Sequence, residues 1–94
     1  MITFGEKLRY LRRKTNLTQK ELGMAVGFPE NTADVRIAQY ETNARTPREE
    51  LLKKLAQVLG VQKDILTVPV LTKPKEFSAA FFWMTEMGED RFHL

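Results

Sequence analysis

Side chains able to do covalent or acid–base chemistry are scarce in this sequence. It has no cysteine, which excludes a disulfide and a thiolate metal site. Its single histidine, His93, stands next to the last residue, and no glycine-rich phosphate loop occurs. The carboxylates Glu49 and Glu50 have a structural explanation in helix capping and solvation. No catalytic residue, metal site or cofactor is therefore expected. What remains is hydrogen-bond and charge chemistry. Fifteen basic side chains against twelve acidic ones give a net charge of +3 over 94 residues. That mild excess suits an anionic partner without demanding one.

The elements that must position these groups are helices. From Leu17 to Glu41 the chain reads as helix, tight break, helix. Thr18 and Glu21 are spaced as a capping box, and Leu17 and Leu22 as a hydrophobic staple, so a helix is predicted from Gln19. Leu22, Ala25 and Val26 recur at helical spacing as its apolar positions. Gly27 can take the left-handed conformation that ends a helix, and Pro29 opposes continuation. Asn31 and Thr32 are suitable caps for a second short helix. That helix carries Val35, Ile37 and Tyr40, with Ile37 and Tyr40 expected in the core and Arg36 and Gln39 on other faces.

Upstream, Thr3 and Glu6 repeat the capping pair, and Phe4, Leu8 and Leu11 form an apolar stripe up to a stop at Asn16. Lys7, Arg9, Arg13 and Lys14 read as a solvated basic face. A basic amphipathic helix can also lie on a membrane surface, but the strong helix signals that follow need an apolar partner, which favours the core reading. A third pair, Thr46 and Glu49 with Pro47 at the first position, predicts a fourth helix bearing Leu51, Leu52, Leu55, Ala56 and Leu59 and ending at Gly60. A fifth, roughly 62–66, adds Val61, Ile65 and Leu66 to the core. The fold class is all-α, a compact five-helix bundle over residues 1–67. Pro69 and Pro74 mark a linker over 68–75. Residues 76–94 then read as a helix that is apolar nearly all round, with Phe77, Ala80, Phe81, Trp83, Met84 and Met87 as candidate self-association residues. The alternative is a sixth helix closing the same domain. The abrupt end at His93-Leu94 is compatible with a piece of a longer protein. No apolar run is long enough to span a membrane, and the N-terminus lacks a signal-peptide core. A cytoplasmic protein is expected.

Read together, Thr18-Gln19-Lys20-Glu21-Leu22, Gly27, Ile37-Ala38-Gln39-Tyr40-Glu41, Arg45-Thr46-Pro47 and Leu55-Ala56-Gln57-Val58-Leu59-Gly60-Val61 resemble the phage-repressor and Cro family of Xre-type regulators. The likeness covers roughly 4–66. It implies a five-helix, lambda-repressor-like DNA-binding domain that represses transcription as a dimer on palindromic operators, of phage, plasmid or mobile-element type. It also implies roles. In a helix-turn-helix the second helix presents its N-terminal residues to the major groove while the first spans the backbone. Gln19, beside Thr18, matches the position that touches a phosphate and braces the recognition helix. Asp34, Val35 and Gln39 match base-reading positions, with Thr32 beside them. A glutamine can hold adenine, a carboxylate can accept from cytosine N4, and a valine can meet a thymine methyl. Arg36 suits a phosphate or a guanine. Asn43 suits a left-handed turn, and Arg45, Thr46 and Arg48 a phosphate. Arg12 is expected to pair with Glu41 inside the fold. Bland readings stand beside these: Asp34 as a cap, Gln39, Arg45 and Arg48 as surface residues, Arg36 paired with a carboxylate.

One feature departs from the family pattern. The stretch between Gly27 and Tyr40 is longer than usual by about four residues, a rotation of about 400° if they are helical. The residues Phe28 to Asn31 are expected to form a longer loop, leaving the recognition helix near 32–41. The expected function is sequence-specific DNA binding by a regulator. The alternatives are an antitoxin gripping a small toxin through the apolar tail, or a protein-interaction module on the same fold. An enzyme is the poorest reading.

Overall fold

The computed structural model describes residues 2–67. Among them five helices follow one another with no strand: α1 (Phe4–Lys14), α2 (Gln19–Ala25), α3 (Glu30–Glu41), α4 (Glu49–Leu59) and α5 (Lys63–Thr67). The expected linker at 68–75 and terminal helix at 76–94, with Phe77, Ala80, Phe81, Trp83, Met84 and Met87, lie outside the described residues.

α1 and α2 begin with closed capping boxes. Thr3 Oγ1 accepts from Glu6 N, and the Glu6 carboxylate accepts from Thr3 N, both at 3.1 Å. Thr18 and Glu21 do the same at 3.0 and 2.8 Å. Each box satisfies donors that the first turn leaves unpaired. The helix ends are equally defined. Asn16, Gly27, Asn43 and Gly60 follow the first four helices at φ +61°, +107°, +64° and +72°. After each, the next N–H reaches back to close the last turn: Leu17 to Arg12 O, Phe28 to Gly23 O, Ala44 to Gln39 O and Val61 to Ala56 O, at 2.9–3.1 Å.

α3 and α4 begin otherwise, and two expectations are corrected. The added residues between α2 and α3 are not a loop: only Phe28 and Pro29 precede Glu30, and Glu30 and Asn31 are wound into α3. Pro29 is the N-cap, at φ −60° and ψ 151°, in place of Asn31 or Thr32. A proline suits this boundary because its fixed φ is compatible and its missing N–H is not needed there. Its carbonyl accepts from Thr32 N at 3.1 Å and Ala33 N at 2.9 Å. Glu30, in the first turn, is held by Lys20 at 3.0 Å, where a carboxylate also suits the helix dipole. In α4 the Thr46–Glu49 box does not form. Arg48 is the N-cap with extended backbone and no side-chain cap. Pro47 is buried ahead of the helix, and the Glu49 carboxylate bonds Lys63 of α5 instead of reaching back.

Leu8, Leu22, Ile37, Leu55 and Leu66, drawn from all five helices, are the largest fully buried side chains. Burying each stabilises the fold by about 1.5–3 kcal/mol relative to exposure. Phe4, Leu51, Val61 and Ile65 pack against this core half-buried. Two side chains depart from their expected faces. Ala25 is exposed. Lys7, assigned to the solvated basic face of α1, is buried at 2% exposure, and desolvation pushes its amine below the usual lysine range.

Candidate nucleic-acid interface

α3 is fixed at both ends. Near its start it crosses α2 at backbone contact. A Cβ on Gly23 would lie 2.5 Å from the Ala33 carbonyl oxygen and 2.7 Å from the Ala33 methyl, so only glycine permits this approach. At its end Glu41 gathers three helices. Its carboxylate accepts from Arg12 Nε at 2.5 Å, Arg12 Nη2 at 3.2 Å and Gln19 Nε2 at 3.1 Å. Arg12 also donates from Nη1 to the Leu17 carbonyl at 2.9 Å. The side chains of Arg12 and Glu41 are 11% and 4% exposed. A pair this shielded is costly to break, because the remaining charge keeps its desolvation without its partner.

Asn43 turns out to belong to this scaffold. Its Oδ1 accepts from Gly5 N at 3.0 Å, and its Nδ2 donates to Thr3 Oγ1 at 3.1 Å. Both ends of the amide thus tie the start of α1 to the end of α3. Gln19 is half-buried with its amide donor on Glu41, while Thr18 is exposed with its hydroxyl in the capping box.

Ala33, Ile37, Tyr40 and Glu41 face inward on α3. Ala33 is fully buried, so it cannot touch a partner. Asn31, Thr32, Asp34, Val35 and Thr42 are exposed. Helical geometry aligns Asn31, Val35, Ala38 and Thr42 in one stripe opposite the core, and Val35, at 54%, is among the most exposed large apolar residues. Thr32 Oγ1 donates to the Pro29 carbonyl at 3.4 Å, and the Asp34 carboxylate accepts from Val35 N at 2.9 Å. Arg36 and Gln39 are half-buried, and Arg36 lies at the flank toward α4 rather than on the stripe. The Arg36 guanidinium lies 4.9 Å over the Phe28 ring. Among the described residues Arg36 Nε and Gln39 Oε1 are buried without partners. Arg45, Thr46 and Arg48 are exposed on the segment leading into α4, and Arg45 N donates to the Gln39 carbonyl at 3.2 Å.

The arrangement separates two chemistries. The outward part of α3 offers an amide, hydroxyls, an apolar side chain and the carboxylates of Glu30 and Asp34, with no cation. Positive charge stands at the rim, on Arg45 and Arg48. In protein–DNA contacts phosphate neutralisation supplies most of the affinity, and groove contacts supply the sequence preference. Two placements are not legible in the sequence. Asn31 reads as a cap, although its spacing of four from Val35 places it on the stripe once α3 begins at Glu30. Phe28, under Arg36, carried no signal beyond being aromatic.

The pattern of a helix-turn-helix family matches residues 8–66, from within α1 through most of α5. The chain belongs to this helix-turn-helix family. It is of the Xre-like, Cro type, a family of DNA-binding transcription regulators and not of enzymes. In this helix-turn-helix protein the motif is α2, the turn at 26–29 and α3, with Gln19 at the front of the first motif helix. A search of curated proteins and a search of solved structures each returned no match. Among the described residues no helix is long and apolar enough to cross a membrane, and no group of His, Cys, Asp or Glu could hold a metal ion.

Proposed function

We propose that this protein is a sequence-specific repressor that lays the outward stripe of α3 in the major groove of double-stranded DNA. The observation that carries the reading is the twelve-residue α3, exposed along Asn31, Asp34 and Val35 and flanked by Arg45 and Arg48, which form no ion pair among the described residues. Asn31 suits adenine N6 and N7, Asp34 cytosine N4, and Val35 a thymine methyl. Thr18 and Gln19 lie against one backbone strand. Arg45, Thr46 and Arg48 hold phosphates on the other side, with Arg36 and Gln39 behind them. Residues 76–94 join two copies, so that two α3 helices meet half-sites roughly 34 Å apart on a palindromic operator.

Footprinting of the full chain at base resolution tests this. A protected palindrome is expected, and equal binding to all duplexes would contradict it. The solution mass of the full chain against a version ending at Thr67 tests the dimer, which fails if both are monomers at micromolar concentration. A small co-purifying chain would point instead to an antitoxin.

A further inference from the structure

We propose that the cleft between α3 and α4 is a binding site for a small planar aromatic anion, and that its occupancy competes with DNA. The cleft has a volume of about 650 Å3, within the roughly 300–1,000 Å3 of small-molecule sites. The half-buried Phe28 lines it, with the buried Tyr40 stacked behind, their centroids 6.4 Å apart and their planes at 23°. Arg36 lies on the Phe28 ring, and Arg45, Arg48 and Lys54 also line the space, against the one carboxylate of Glu50. None of these four cations is in an ion pair among the described residues.

Two features single out this ligand class. Arg36 Nε is buried with no acceptor among the described residues. A buried donor without a partner is unfavourable, and a charged one more so. An anion in the cleft can pair with the guanidinium of Arg36, which lines the space. The Phe28 ring and the Arg36 plane over it suit a flat apolar body attached to that anion, since rings stack on rings and guanidinium groups lie on ring faces. A DNA phosphodiester brings charge but no such body, so backbone contact alone gives the half-buried Phe28 ring no apolar partner from the ligand. Competition follows because Arg45 and Arg48 line the cleft and also form the cationic rim beside α3. The binding claim stands on the cleft alone; the competition claim rests on the DNA reading above.

The test titrates the full chain with 2-naphthoate, followed by calorimetry and amide NMR. Saturable one-to-one binding is expected, with shifts at Gly27, Arg36 and Arg45. Naphthalene-2-methanol, acetate and inorganic phosphate should each bind at least about tenfold more weakly, since each lacks either the charge-assisted bond or the ring. Arg36→Gln should weaken 2-naphthoate by about tenfold or more, and Arg48→Gln, at an exposed position, should weaken it without altering the melting temperature. The site is overturned by an absence of saturable binding up to millimolar ligand or by shifts confined to residues outside the cleft. It is equally overturned by phosphate binding as well as 2-naphthoate does, or by an Arg36→Gln variant of unchanged melting that binds normally. With a duplex added, 2-naphthoate should raise the apparent Kd for DNA. Cleft binding with unmoved DNA affinity would overturn the competition claim alone, and a chain that bound no DNA would leave the titration readable.

Discussion

α1 and α2 open with closed capping boxes, whereas α3 and α4 open with no side-chain cap at all. The first pair forms the frame. α3 carries the outward stripe, and the segment leading into α4 carries the basic rim. In the frame, a threonine and a glutamate three residues apart set the start of the helix, and nothing distant is needed. In α3 and α4 the start is set by a proline and by long-range contacts: Gly23 against Ala33, Lys20 with Glu30, and Lys63 with Glu49. Local chemistry therefore fixes the support, and packing fixes where the presenting elements begin.

The strongest way to break this division is to cut the joint between its halves. Glu41→Ala leaves Arg12 shielded and unpaired, and should lower stability by about 3–5 kcal/mol in urea unfolding. A loss under about 1 kcal/mol would mean that the brace does not hold α3. Next comes the crossing of α2 and α3. Gly23→Ala sets a methyl into the Ala33 backbone and should cost about 1–3 kcal/mol, or more if the helices cannot part. A neutral result would show that their spacing is soft.

The caps sharpen the comparison at smaller scale. Thr18→Ala should destabilise by about 1 kcal/mol, whereas Thr46→Ala, despite the same sequence pattern, should stay within about 0.5 kcal/mol. Acid titration adds a finer distinction. Bonds from the Thr18 backbone and hydroxyl hold the Glu21 carboxyl below its ordinary value of 4.5, and the bond from Lys63 does the same for Glu49. A folded-state value lower than the unfolded one gives stability that is complete above the ordinary value and lost as pH falls through the lowered one. Thr18→Ala should therefore flatten part of the acid limb of the stability curve, while Thr46→Ala should leave it unchanged.

This division also explains what could be read from the sequence. The five helices, the ends at Asn16, Gly27, Asn43 and Gly60, and the inward Ile37 and Tyr40 follow from spacing and residue type within one or two turns. The pairing of Arg12 with Glu41 came only through family resemblance, because no local pattern links residues so far apart. The start of α3 was misplaced for a definite reason. Pro29, Asn31 and Thr32 are all good boundary residues, and the deciding contacts, Ala33 on Gly23 and Glu30 on Lys20, are tertiary. Asn43 was legible as a left-handed residue, but its bonds to Gly5 and Thr3 were not. The turning of Arg36 onto Phe28 likewise depends on a neighbour that only folding supplies.

The central claim is that the outward stripe of α3 reads bases while the Arg45–Arg48 rim holds phosphates. Binding of the full chain, Asn31→Ala and Arg45→Ala to a randomised duplex library at several salt concentrations tests it most directly. Asn31→Ala should lose about 1–3 kcal/mol of specific affinity and its preference at one base pair, with the salt slope unchanged. Arg45→Ala should weaken binding to every sequence and flatten the salt slope by about one unit. Unchanged affinity and unchanged base preference in Asn31→Ala would contradict the account.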